Sequence, residues 1–129
     1  MKYYHAKQLT NTTFSDAVEQ VTEALKSEGF GVLTEIDVKA TMKKKLDKDM
    51  PPYLILGACN PNFAYQALQA ENKIGTMLPC NVIVQQMDDN TVEVAAVDPM
   101  ASMQAIENES LAGIASEVQG KLKNVINTL

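Results

Sequence analysis

Apolar residues recur along the chain with two different periods, and the switches between them mark out the elements. Phe14, Val18, Val21 and Leu25 are spaced four, three and four, the stripe of an amphipathic helix. Thr13 stands at its N-cap and Asp16 in its first turn, where the helix dipole favours a carboxylate. Gly29 is placed to close the helix in a left-handed conformation. From Val32 to Met42 the period drops to two: Val32, Thr34, Ile36, Val38, Ala40 and Met42 fall on one side, Leu33, Glu35, Asp37, Lys39 and Thr41 on the other. That alternation predicts one long, half-buried strand whose polar face carries Glu35, Asp37 and Lys39. Lys43, Lys44 and Lys45 then read as a solvated turn, and Pro51-Pro52 ends it.

The remaining elements follow the same logic. Tyr3 to Leu9 is tyrosine-rich and reads as a strand, and Tyr53 to Cys59 as a short buried one. Asn60-Pro61 has the form of a helix start, Asn at the N-cap and Pro at the first helical position. Ala64, Ala67, Leu68 and Ala70 continue that helix, and Gly75 breaks the segment. Cys80 to Gln86 and Thr91 to Val97 flank Asp88-Asp89-Asn90 as a hairpin. Leu111, Ile114, Ala115, Val118, Leu122, Val125, Ile126 and Leu129 line one face of a C-terminal helix. The order predicts a single α+β domain over residues 1–129, with two long helices covering one face of a sheet. The other face is left for solvent, a ligand or a second subunit.

Composition narrows the partners. The 129 residues carry a formal net charge of −5, and every one of the eleven basic residues is lysine. Forked recognition of phosphate or guanine by arginine is therefore absent, and the charge opposes binding to nucleic acid or an anionic membrane. MKYYHAKQL lacks the apolar run of a secretory signal, and no window approaches the ~20 apolar residues of a membrane span. The cytoplasm is the expected location, and cysteines there stay reduced.

Candidate chemistry centres on the two cysteines, Cys59 and Cys80, 80 − 59 = 21 residues apart and each followed by asparagine. Cys59 closes a strand just before a helix N-terminus, whose free amides favour a thiolate. A small buried side chain is the plainer role for a free cysteine. Cys80 opens a strand after Pro79. An antiparallel connection would bring both cysteines to one sheet edge; a parallel crossover would separate them. One histidine, His5, and no Cys-x-x-Cys leave no zinc set, and no cofactor is expected. Seven methionines, Met100 and Met103 among them, suit a soft ion such as Cu(I), although methionine more often fills irregular gaps. Glu35, Asp37 and Asp98 have the chemistry of general acids or bases.

Glu35-x-Asp37-x-Lys39, Leu54-Ile55-Leu56-Gly57-Ala58-Cys59-Asn60-Pro61, Gly75-x-x-Leu78-Pro79-Cys80-Asn81-Val82 and Asp98-Pro99-Met100 together resemble the domain of unknown function 302 family over nearly the whole chain. The resemblance implies strand, helix, four-stranded antiparallel meander, helix, similar in layout to the TATA-box-binding-protein fold. It supplies no activity. Cys59, Asn60, Cys80, Asn81, Asp37, Lys39 and Asp98 match its pattern.

The function expected is binding of a small ligand at a shallow site formed by these residues, in a protein that is dimeric. A thiol-dependent enzyme or redox protein using Cys59 is one alternative, and a self-assembly module using the uncovered sheet face is another. Asn is disfavoured in strands, so Asn81 is expected to find its partners around Asn60. That would place the Cα atoms of Cys59 and Cys80 within roughly 10 Å on neighbouring strands, with no disulfide between them.

Overall fold

The computed structural model describes residues 2–129. The chain begins with strand β1 (Tyr4–Thr10), followed by helix α1 (Phe14–Ser27) and strand β2 (Gly31–Asp37). Helix α2 (Val38–Leu46), strand β3 (Tyr53–Cys59) and helix α3 (Pro61–Ala70) come next. A 3-10 turn (Ile74–Met77) leads to the hairpin of β4 (Cys80–Asp88) and β5 (Thr91–Val97). A short helix α4 (Pro99–Ser102) and the long α5 (Glu109–Asn127) close the chain. The strands lie in the order β1-β5-β4-β3-β2, every neighbouring pair antiparallel. Strands β2 to β5 form the four-stranded antiparallel meander that the family resemblance implies, and β1 returns to pair with β5.

Alternation decides which strand residues are covered. Leu54, Leu56 and Ala58 of β3, Val82 and Val84 of β4, and Val92, Val94 and Ala96 of β5 are buried under the helices. They meet Ala17, Val21 and Leu25 of α1 and Val118, Leu122, Val125 and Ile126 of α5. Both predicted apolar stripes therefore face the sheet. Helix α1 is closed as its sequence demands. Thr13 accepts the Asp16 N–H at 3.1 Å. At the other end Gly29, at φ 86°, lets the Phe30 N–H reach the Leu25 carbonyl at 2.9 Å and its own N–H reach that of Lys26 at 3.0 Å. This turn delivers Phe30 into the core beside Leu25.

The single long strand predicted over Val32 to Met42 does not form. Strand β2 stops at Asp37 and α2 begins at once, so the three lysines lie in the last turn of a helix and not in a loop. Asp37 causes the break: its carboxylate accepts the Ala40 N–H at 2.9 Å, and its carbonyl accepts the Thr41 hydroxyl at 2.8 Å. The following residues are mostly good helix formers, the lysines suit the negative end of the dipole, and Asp47 at φ 52° turns the chain out. The alternation also fails within β2. Leu33 is an extra residue between the pairs Val32↔Ala58 and Thr34↔Gly57. Directly opposed residues share a face, so Val32 joins buried Ala58, whereas Ile36, opposite Ile55, lies on the uncovered face.

Candidate functional site

The two cysteines meet because β3 and β4 are neighbours. Cys80 lies directly across from Ala58, one residue from Cys59, and both are free thiols. Antiparallel pairing is thus the arm of the two alternatives that the chain adopts. Cys59 and Cys80 line a cavity of about 40 Å³ between the sheet end and helices α3 and α5, together with Phe30, Phe63, Pro99 and Met103. Cys80 is buried, and that burial, with a smaller push from Cys59, raises its thiol from 9.0 to about 11. At neutral pH it holds its proton and is a poor nucleophile.

The two asparagines part company. Asn60 borders the cavity, but its side chain does not cap α3 as expected. Instead its amide donates to the Glu28 carbonyl at 3.3 Å, tying the end of α1 to the start of α3. A Cβ on Gly29 would stand 3.1 Å from this amide nitrogen, so both the backbone angle and the close approach call for glycine there. Asn81, expected to pair with Asn60, is exposed on the uncovered face. It sits one residue past buried Cys80, and alternation turns it the other way. There it borders a second, shallow concavity of about 430 Å³ with Tyr3, Tyr4, Tyr53 and Ile83.

Asp98 lies near the cavity end of the sheet, just after β5 and just before Pro99, which lines the cavity. Its Oδ1 caps α4 by accepting the Met100 N–H at 2.9 Å, and the Gln119 amide donates to both carboxylate oxygens at 3.0 Å. His5 Nε2 is buried 3.4 Å from Oδ2, outside the alignment of a hydrogen bond. Burial alone would raise this carboxyl. The bonds from Gln119 and the Met100 and Ala101 amides, with His5, outweigh it and hold the group below its ordinary 3.8. The Asp98 N–H also anchors the start of β1 by donating to the Tyr3 carbonyl at 2.7 Å.

Asp37 and Lys39 are not part of this end. Gly31 pairs with Cys59 and Asp37 with Leu54, so Asp37 lies six steps along β2, about 20 Å at strand rise. Glu35, exposed on β2, is likewise remote. Among the residues that sequence reasoning did not place there are Phe30 and Phe63 of the cavity lining and Gln119, which bonds Asp98. Gln119 had a readable sign, a polar residue adjoining the apolar stripe between Val118 and Leu122. Among the described residues, no group of three or more His, Cys, Asp or Glu could hold a metal ion, and no helix is long and apolar enough to cross a membrane.

A five-stranded antiparallel sheet covered on one face by helices, with two thiols where β3 and β4 meet, defines a small α+β domain of distinctive layout. Residues 5–129 match the family model described as Domain of unknown function DUF302, and the chain belongs to that family. The crystal structure of an uncharacterized conserved DUF302 protein from Bacillus stearothermophilus is similar over 98% of each chain, at 26% identity and a TM-score of 0.89. No curated protein matches the sequence.

Proposed function

We propose that this protein binds a small, largely apolar ligand at the cavity beside Cys59 and Cys80. The observation that carries the reading is the lining itself: Cys80, the backbone end of β3 at Cys59, and the rings of Phe30 and Phe63 border one cavity at the sheet end. An interior of about 40 Å³ exceeds the ~10–15 Å³ that a water needs and falls well short of the ~300 Å³ of drug-sized sites. A ligand of a few non-hydrogen atoms, or the tip of a larger one, fits that size. The raised pKa of Cys80 favours this reading over a two-thiol redox centre, because a thiol that keeps its proton attacks slowly. A reducing cytoplasm suits it, since both thiols stay available there. Xenon or small alkyl probes, followed by two-dimensional NMR, test the proposal. Shifts centred on Phe63, Cys80 and Met103 are expected; shifts confined to Tyr53, Ile83 and Glu93 would move the site to the other face.

A second reading, self-association, is favoured by a different observation. On the uncovered sheet face Ile36 lies opposite Ile55, Ile55 opposite Ile83, and Ile83 opposite Ala95, and Ile36 keeps 49% of its surface exposed. Such an apolar row is suited to a homodimer. A solution mass equal to one chain would dismiss it.

A further inference from the structure

The uncovered face of the sheet carries one unbroken apolar row. Register places Ile36 opposite Ile55, Ile55 opposite Ile83, Ile83 opposite Ala95 and Ala95 opposite Ala6, so the row crosses all five strands. The rows on either side are neutral apart from Glu93, whose carboxylate accepts hydrogen bonds from the side-chain amides of Gln8 at 3.4 Å and Gln85 at 3.3 Å. A chain with 21% charged residues thus keeps charge off this face, whereas the open face of an antiparallel sheet is ordinarily polar. The row is also lopsided. Three isoleucines build its β2, β3 and β4 positions and two alanines its β5 and β1 positions, and beside Ala95 lies the concavity of about 430 Å³. We infer that this face packs against the same face of a second copy, about a two-fold axis that runs along β4. The inference rests on the self-association reading and fixes its geometry.

An axis lying in the interface parallel to the strands reverses the strand order and keeps each row in line. Because β4 is the middle strand, it faces its own copy, β3 faces the partner's β5, and β2 faces the partner's β1. Ile55 then stands over the partner's Ala95 and Ile36 over the partner's Ala6, so the tall half of the row fills the shallow one. An axis across the strands would instead set isoleucine on isoleucine and leave a gap between alanines. In the flanking rows the same axis puts the Tyr53 phenol, a donor, above the partner's Glu93 carboxylate. It also brings exposed Asn81 against its own copy, where two amides can exchange hydrogen bonds. The size fits as well. Five strands about 4.8 Å apart and about seven residues long give a footprint of roughly 24 by 23 Å, about 550 Å² per partner. A specific dimer buries upward of about 1,000 Å² in total. The product has four layers, helix, sheet, sheet and helix, with the sheets about 10 Å apart. Both thiol cavities lie on its outer, helix-covered sides.

Light scattering on the full chain over a range of concentrations tests the inference. Twice the mass of one chain is expected for the wild type. Ile83→Lys sets two ammonium groups together on the axis and should bring the mass down to one chain, with the circular dichroism of the folded protein retained. The position of the axis is tested by exchanging the two halves of the row. Ile55→Ala and Ala95→Ile each spoil the fit and should weaken dimerisation by about tenfold or more. The double variant should recover to within about threefold of wild type, because each new side chain meets the other across the interface. Within one chain Ile83 stands between the two positions, so the recovery has no source in the monomer. A wild-type mass of one chain would overturn the inference and self-association with it. A dimer in which the two substitutions simply add would overturn the two-fold arrangement alone and leave self-association standing.

Discussion

Replacing Asp98 is the most informative single perturbation of this fold. The carboxylate joins three elements: it caps α4, receives the Gln119 amide of α5 on both oxygens, and lies against His5 of β1. Asp98→Ala removes a cap, worth about 0.5–2 kcal/mol. It also strands the half-buried Gln119 amide, an unsatisfied donor costing about 1–3 kcal/mol. A total of about 2–4 kcal/mol is expected, and urea denaturation followed by circular dichroism measures it. Asp98→Asn keeps the shape and one acceptor but puts an amide donor against that of Gln119, so its cost should be smaller. The pH dependence has a definite sign. The native carboxyl lies below its ordinary 3.8, so its stabilisation is fully present above that value and is lost as pH falls through the native pKa. The gap between wild type and Asp98→Asn should therefore narrow in strong acid. A double-mutant cycle with Gln119→Ala should return a coupling of about 1 kcal/mol or more. A loss under about half a kcal/mol near neutral pH, or a gap indifferent to acid, would refute the account of this cluster.

Four further outcomes are expected. Leu122→Ala, fully buried between α5 and the sheet, should cost about 2–5 kcal/mol in the same denaturation assay. Alkaline denaturation should report Cys80: its thiol is held near 11 against 9.0, so its contribution is present below 9.0 and fades as pH rises toward 11, by about 1.4 kcal/mol per pH unit, and Cys80→Ala should abolish that part of the slope. Gly57→Ala should lose about 1–3 kcal/mol by overpacking, because a Cβ there would stand 2.8 Å from the Pro79 ring and against the Thr34 hydroxyl; unchanged thermal stability would mean that both neighbours yield freely. Filter binding at about 150 mM salt should detect no submicromolar affinity for duplex DNA, given the −5 charge and the lack of arginine.

The sequence was most readable where one physical signal dominated. The stripes of α1 and α5, the Gly29 turn and the β4–β5 hairpin each follow from a period or a turn residue, and each stands as read. It misled where two signals competed. Val38, Ala40 and Met42 continue the alternation of β2 by chance, whereas Asp37 caps a helix of Lys, Ala and Met residues whose propensity prevails over the pattern. The proximity of the cysteines was legible only as a conditional, since register depends on pairing that no local spacing encodes. Asn81 shows the limit most plainly. The low strand propensity of asparagine predicts buried partners for it, but alternation turns it outward, one step from a buried cysteine. Asp98 was recognisable as a polar stop after β5. Its true partners, Gln119 and His5, lie 21 residues ahead and 93 behind in the chain, beyond any local pattern.

The extra residue at Leu33 has a consequence for how this protein behaves in a crowded cell. Strand β2 is one rim of the sheet, and its outer row of amides and carbonyls is the kind of template on which a foreign strand zips. The bulge interrupts that row near its start, and α2 ends it after Asp37, so only Thr34 to Asp37 remain in register. Glu35 and Asp37 put two carboxylates on this remnant. A segment so short and so charged gives an incoming chain too little ladder to propagate fibrils, despite exposed Leu33 and Ile36 beside it. Strand-by-strand growth is therefore closed along this rim, and the opposite edge, β1, is the one that keeps a continuous outer row.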